Sequence, residues 1–169
     1  MQKIAKFHKV TYNRFKHDWM DCFGDSEEVI QNAYDSIKLP KRATTGSAGY
    51  DFYTPIDIEL NPNETIKIPT GIRVEMAEDW VLKLYPRSGL GFKYRLQLNN
   101  TVGIIDSDYF YSDNEGHIFA KITNDTNEGR VVKISAGEGF MQGIFIQYGI
   151  TVDDEVTEIR NGGFGSTTK

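Results

Sequence analysis

From Pro40 onward the apolar residues fall in short runs with a period of two, and that period leaves few folds open. Ile56, Ile58 and Leu60 alternate with Asp57 and Glu59, and Ile72, Val74 and Met76 alternate with Arg73 and Glu75. Successive side chains of a strand point to opposite faces, so each run has one apolar face to bury. Val81–Tyr85, Ile118–Ile122, Val131–Ile134 and Ile144–Tyr148 are further short runs, punctuated by Gly, Pro, Asn and Asp. Many short strands at this spacing predict a sandwich or barrel. Strands do not alternate with helices here, which argues against Rossmann and P-loop folds.

The chain reads differently before Leu39-Pro40. After a strand-like segment, Lys3–Val10, the aromatics Tyr12, Phe15, Trp19 and Phe23 recur at spacings of three and four, which stacks them on one helix face. Gly24 breaks the run, and Ser26 with Glu27 and Glu28 reads as an N-cap with an acidic first turn. Val29, Ala33 and Ile37 form a second stripe, with Ile30 and Tyr34 beside it. The expectation is a helical insert over residues 11–37 within a single domain of residues 1–169, ending in a mobile arm at 160–169.

A chain of 169 residues can bury a real core. No apolar run approaches the ~20 residues of a membrane helix, and the N-terminus carries no signal-peptide pattern, so a cytoplasmic location is expected. Cys22 is the sole cysteine, which excludes an intrachain disulfide and a cysteine zinc site. The formal net charge of −5 argues against a broad basic face for nucleic acid. None of His8, His17 and His117 is expected to have a partner at metal-ligand spacing. A Walker A motif and a G-x-S-x-G elbow are both absent.

Three segments carry residues suited to chemistry. The loop Tyr85-Pro86-Arg87-Ser88-Gly89-Leu90-Gly91 offers a guanidinium, a hydroxyl and flexible backbone, a set that suits phosphate oxygens; the alternative is a plain turn with a surface arginine. Gly103-Ile104-Ile105-Asp106-Ser107-Asp108-Tyr109 sets two carboxylates beside apolar residues, and in a strand Asp106 and Asp108 share one face. A carboxylate against an apolar wall can deprotonate water; the alternative is a solvated strand end. The tail from Arg160 to Thr167 places Phe164 amid glycines, which would suit a ring closing over a planar base, although taken alone such a tail favours a disordered terminus.

Taken in order, five blocks resemble the homotrimeric dUTPase family: Ala48–Tyr53, Pro86–Leu90, Asn100–Tyr109, Gly137–Gln142, and Arg160 with Gly162–Thr167. The resemblance spans roughly Leu39 to Lys169. It implies an all-β, distorted jelly-roll-like β-barrel, with the helical insert as an addition. It implies hydrolysis of dUTP to dUMP and pyrophosphate, with Mg²⁺ as cofactor and a homotrimer whose sites draw on three chains. By resemblance Asp106 activates the water that attacks the α-phosphorus, and Tyr109 packs on the deoxyribose. Asn100 and the backbone of Gly103, Ile104 and Ile105 read uracil in a tight hairpin. Arg87, Ser88, Gly89 and Gln142 meet phosphates, and Asp51 supports the metal through a water. Phe164 lies over the uracil, followed by Gly165, with Arg160, Ser166 and Thr167 on the phosphate chain.

The chain departs from the family pattern in four places. Phe110-Tyr111 stand where Arg-Gly is usual, an insertion through Ser112-Asp113-Asn114-Glu115 delays the glycine to Gly116, Gly139 replaces an arginine, and Arg160 lies one residue nearer Phe164. The competing readings are a dCTP deaminase or bifunctional deaminase of the same fold, and a non-catalytic regulatory protein on that scaffold.

Overall fold

The computed structural model describes residues 2–160 and residue 162. Strand β1 (Ala5–Lys9) is followed by helices α1 (Tyr12–Cys22) and α2 (Glu27–Ser36). The chain then continues almost entirely in strands: β2 (Lys41–Arg42), β3 (Tyr50–Tyr53), β4 (Ile58–Leu60), β5 (Thr65–Pro69), β6 (Ile72–Met76) and β7 (Trp80–Pro86). A short helix α3 (Ser88–Tyr94) leads into β8 (Leu96–Leu98) and β9 (Gly103–Ile105), and a 3₁₀ turn over Ser107–Tyr111 into β10 (Phe119–Asn124), β11 (Val132–Ile134) and β12 (Gly139–Gln147). Among the described residues every strand pairing is antiparallel. The largest sheet runs β2-β3-β12-β7-β9; the smaller ones are β5-β10-β8, β1-β6 and β11-β4.

The period-two runs bury the faces they predict. In β4 Ile58 and Leu60 are buried and Glu59 is exposed; in β6 Ile72, Val74 and Met76 are buried around the outward Glu75. They meet Phe52, Ile68, Leu82, Leu84, Ile118, Ile122 and Phe140 in one core shared by the sheets. Each such side chain stabilises the fold by roughly 1.5–3 kcal/mol relative to exposure. Among the described residues, no helix is long and apolar enough to cross a membrane.

Helices α1 and α2 form a small core of their own with Val10, made of Val10, Phe15, Trp19, Ile30 and Ala33 and joined to the main one through Ile37 and Ile56. Phe15 and Trp19 meet in a tilted contact at 5.1 Å and Trp19 and Phe23 edge-on at 5.0 Å, as the aromatic spacing predicts. Thr11, not singled out from the sequence, caps α1 by accepting from the Arg14 amide through its hydroxyl at 3.2 Å. On α2 the buried stripe is displaced by one residue from expectation: Ile30 is fully buried and Val29 is about half exposed. The two are adjacent, and only 100° of rotation separates the face that meets α1 from the face that meets water. Ser26 stands at the N-cap position but its hydroxyl makes no capping bond.

Three other expectations are corrected. The loop after β7 is helical over Ser88–Tyr94, despite Gly89 and Gly91, and stops at Arg95 in the left-handed region (φ 51°). Asp106 and Asp108 are not on a strand face, because the strand ends at Ile105 and Asp106 stands at the N-terminal boundary of the 3₁₀ turn without a side-chain capping bond. His17 does have partners at metal-ligand spacing, since Asp18 and Asp21 bring ligand atoms within 4.8 Å of it and of one another. A helix sets residues four apart on one face. Arg14, however, reaches both His17 and Asp18, so the group is an ion-pair network with its own cation inside it.

A fully buried imidazole joins insert to barrel. His117 Nδ1–H donates to Asp18 Oδ2 at 2.5 Å, and the Gly71 amide donates to His117 Nε2 at 2.8 Å. Only neutral imidazole with its proton on Nδ1 makes both bonds. Gly71 itself has φ +73°, and a Cβ there would lie 2.2 Å from Ile37 Cδ1, so both backbone and space require glycine.

Burial lowers the His117 pKa, while Asp18 and Glu115 oppose that shift and Arg14 adds to it. Burial also pushes the Asp18 carboxyl up, but hydrogen bonds from His117 and Arg14 outweigh this and bring it down to about 2. Both folded pKa values lie below their unfolded ones, so the stability they supply is present at neutral pH and is lost on acidification. The His117 contribution begins to fall as pH drops through the unfolded value of ~6.5. Calorimetric Tm is therefore expected to fall between pH 7 and pH 5. His117→Asn should lower Tm at pH 7 and flatten that slope; an unchanged slope would assign the acid sensitivity elsewhere.

Candidate active site

Strand β7 lies between β12 and β9, and residues proposed for chemistry gather at its two ends. At the C-terminal end, Asp51 of β3 stands opposite Gln142 of β12, which in turn stands opposite Tyr85 of β7. Gln142 Nε2 donates to the Pro86 carbonyl at 3.2 Å, and Arg87 Nε approaches Asp51 Oδ1 at 3.2 Å. Arg87 also leans over Gly139, donating to its carbonyl at 3.4 Å. A Cβ on Gly139 would lie 2.9 Å from Arg87 Nη1, so the residue lacking the usual arginine makes room for Arg87. Ser88 and Gly89 open α3 beside it, and an open cleft of about 570 Å³ lies between α3 and the Gly137–Gly139 turn. Asp51, Arg87, Ser88, Gly89 and Gln142 are thus brought together within one chain.

The second group includes Asp106, toward the other end of β7. Leu82 pairs with Ile105 and Leu84 with Gly103, so Asp106 stands level with Val81. From there Arg87 is a further six residues along the strand, about 20 Å at ~3.3 Å per residue. Within one chain the carboxylate expected to activate water and the arginine expected to hold phosphate are not brought together.

Around Asp106, strand alternation sorts the neighbours. Gly103 and Ile105 are buried and Ile104 turns outward, 48% exposed. The turn before them is tight: the Thr101 amide donates to the Leu98 carbonyl at 2.8 Å, with Thr101 at φ 65°. Its arms do not pair with each other as a hairpin would, because β8 joins β10 and β9 joins β7. Asn100 is exposed at the tip and, with Gly103 and Ile105, borders a cavity of about 290 Å³ under the turn. Gly103 is needed against the sheet, since a Cβ there would lie 2.9 Å from Leu84 Cβ.

Arg160 Nη2 donates to Asp106 Oδ2 at 2.5 Å and its Nε to Asp108 Oδ1 at 2.8 Å. The 3₁₀ turn, not a strand, makes the two carboxylates converge on one guanidinium. With Arg160 in place, the hollow bordered by Ile104, Asp106 and Tyr109 measures about 20 Å³, room for a water and not a nucleoside.

Tyr109 is buried to 3% exposure. Its hydroxyl donates to the His117 carbonyl at 2.7 Å and accepts from Asn114 Nδ2 at 2.7 Å. Burial pushes its pKa up to about 12. Sequence reasoning passed over Asn114, His117 and Asp18 as members of this neighbourhood. No local spacing could have revealed them, because Asp18 and His117 are 99 residues apart. Phe164, Gly165, Ser166 and Thr167 lie outside the described residues.

The comparisons with known proteins agree with one another. The dUTPase family model matches residues 35–168, so α1 and nearly all of α2 precede the matched region. The deoxyuridine 5'-triphosphate nucleotidohydrolase of Lactococcus lactis is 43% identical over 144 residues, covering 83% of this chain and 95% of that protein. The crystal structure of the dUTPase from Streptococcus mutans superposes with a TM-score of 0.62 at 33% identity, covering 86% of this chain and 97% of that one. A mutant dUTPase from phage phi11 of S. aureus, described with a structural Mg(II) ion, shares the fold at 18% identity and a TM-score of 0.62, over 92% of this chain and 98% of that one. With its all-antiparallel barrel and a family match over most of its length, this chain belongs to the dUTPase family.

Proposed function

We propose that the chain hydrolyses dUTP to dUMP and pyrophosphate by water attack at the α-phosphorus. Family membership carries the reaction, and the placement of Asp106 beside Tyr109 carries the assignment of its base. Water is a poor nucleophile, and the charge of the triphosphate repels an anionic attacker. A carboxylate at the lip of the Tyr109 wall can accept the proton and fix the line of attack. Arg160 must first leave Asp106, and an arriving triphosphate, with more charge than two carboxylates, is the group able to draw it away. Tyr109 would pack against the sugar, and the tight turn at Asn100–Gly103 would read the base. The tail carrying Phe164, Ser166 and Thr167 would cover both.

The other half of each site would come from a second copy, which supplies Arg87, Ser88, Gly89 and Gln142 for the phosphates. This reading makes the protein a homotrimer with shared sites, and the ~20 Å between Asp106 and Arg87 in one chain supports it. Magnesium fits the same arrangement. A hard cation asks for oxygen ligands, and it can take most of them from phosphates and water. Of the carboxylates at the proposed phosphate-binding end, Asp51 is shared with Arg87 and Glu138 accepts from the Ser135 amide, which suits contact through a water and not a dense protein cage. We place the protein in the cytoplasm and read residues 1–169 as one domain.

Two measurements test this. Asp106→Asn is expected to bind a non-hydrolysable dUTP analogue as the parent does while kcat for pyrophosphate release falls at least ~100-fold. Asp108→Asn should lose much less, and the reverse ranking would move the base. Against a nucleotide panel, dUTP should be cleaved far faster than dCTP, because a base that leaves polar groups of the site unpaired forfeits about 1–3 kcal/mol per lost bond. Comparable kcat/KM for the two, or ammonia release from dCTP, would favour a deaminase.

A further inference from the structure

The segment from Ser107 to Ile118 holds Tyr109, yet it carries the insertion that separates this chain from the family pattern. Its C-terminal part is anchored to α1 at two points. The Glu115 carboxylate accepts from the Thr11 amide at 2.8 Å and from the Thr11 hydroxyl at 2.6 Å, clamping the start of α1. Two residues on, His117 is held by Asp18 from the middle of α1. Beside these anchors the loop folds on itself. Asn114 reaches the Tyr109 hydroxyl, and Gly116, at φ +68°, packs so closely that a Cβ would lie 2.7 Å from the Tyr109 carbonyl oxygen. Arg73 closes the outer side, stacking 3.7 Å over Phe110 and donating to its carbonyl at 2.6 Å.

The link from insert to Tyr109 is short. Asp18 accepts from the imidazole of His117, and the carbonyl of the same residue accepts from the Tyr109 hydroxyl. Asp18 itself is fixed by Arg14 Nε at 3.0 Å. Two features unexplained by the family pattern, the helices at 11–37 and the insertion after Tyr109, therefore meet in one buried junction. We propose that the helical insert is a positioning element for sugar discrimination, in which Asp18 is a positioning residue that holds His117 and, through it, the Tyr109 wall of the site. The inference rests on the reading that Tyr109 meets the deoxyribose. Without an acceptor at position 18, His117 is left with a buried donor unpaired, a situation proteins relieve by moving the group or admitting water. Displacing the His117 carbonyl releases the hydroxyl that holds Tyr109 against the place where a 2′-hydroxyl would have to fit.

The test is the ratio of kcat/KM for dUTP to that for UTP, measured on the full-length chain. Asp18→Ala is expected to lower the ratio by about tenfold or more, through improved use of UTP as well as weaker use of dUTP. Asp18→Asn keeps an acceptor for His117 and should retain most of the ratio. Phe15→Leu loosens the same helix by packing alone; it should lower Tm without changing the ratio. Glu115→Ala frees the other anchor without opening a buried site and should lower the ratio by a smaller factor, so it decides the matter if Asp18→Ala does not fold. Parental ratios in every foldable Asp18→Ala and Glu115→Ala protein would overturn the proposal. Tyr109→Leu separates the two ideas. A collapsed ratio there beside parental ratios in the anchor variants sinks the insert's role alone, whereas a parental ratio in Tyr109→Leu sinks the reading of Tyr109 and the inference with it. A ratio that tracks Tm across Phe15→Leu and Asp18→Ala alike would also overturn it, by making the insert merely structural.

Discussion

Everything proposed for catalysis hangs on β7. It is paired on one side along its whole length to β12 and on the other to β9, and both registers are fixed by buried residues: Leu82, Leu84, Gly103 and Ile105. A slip of one residue would turn these outward, so the register is strongly specified. That rigidity holds the Arg87–Gln142 cluster, proposed to bind phosphate, and Asp106 apart. A strand cannot shorten, and no rotamer of Arg87 spans ~20 Å. In the proposed reading a complete site therefore draws on a second chain, which would let blocks scattered from Asp51 to Arg160 serve one reaction.

Much of the barrel was legible because burial and sequence share a period. β4 and β6 show the alternation openly, and their structural boundaries agree with the runs to within two residues. The elements that escaped are those whose local signal is weak. β3 (Tyr50–Tyr53) and β8 (Leu96–Leu98) are short and owe their strand state to partners distant in sequence. Helix α3 contains two glycines, each costing about 1 kcal/mol against alanine, so propensity speaks against a helix that tertiary context supplies. The clusters of the site were legible as family blocks, and the structure gathers Asp51, Arg87, Ser88 and Gln142 as those blocks imply. The convergence of Asp106 and Asp108 on Arg160 was legible as composition but not as geometry, since a 3₁₀ turn replaces the expected strand.

Polar contacts over long sequence separations were the least legible. Nothing near His117 indicates that its partner is Asp18, and nothing near Asp18 distinguishes it from a solvated helix acid. Their importance lies in desolvation: a buried imidazole with both nitrogens satisfied has one tautomer and one orientation, whereas an unsatisfied one is costly. The N-terminal helices thereby contribute more than a small aromatic core, because Asp18 reaches Tyr109, the proposed wall of the site, through two hydrogen bonds.

The central claim is that each site is built from two or more copies of the chain. Subunit complementation tests it most directly. Asp106→Asn and Arg87→Ala chains, each nearly inactive alone, are denatured together, refolded as an equal mixture and assayed for pyrophosphate release from dUTP. If Asp106 and Arg87 act from different copies, random assembly leaves about a quarter of the sites with neither lesion, and activity should return to about that fraction of the parent. A mixture no more active than its two components, after mass spectrometry has confirmed that mixed oligomers formed, would contradict the account.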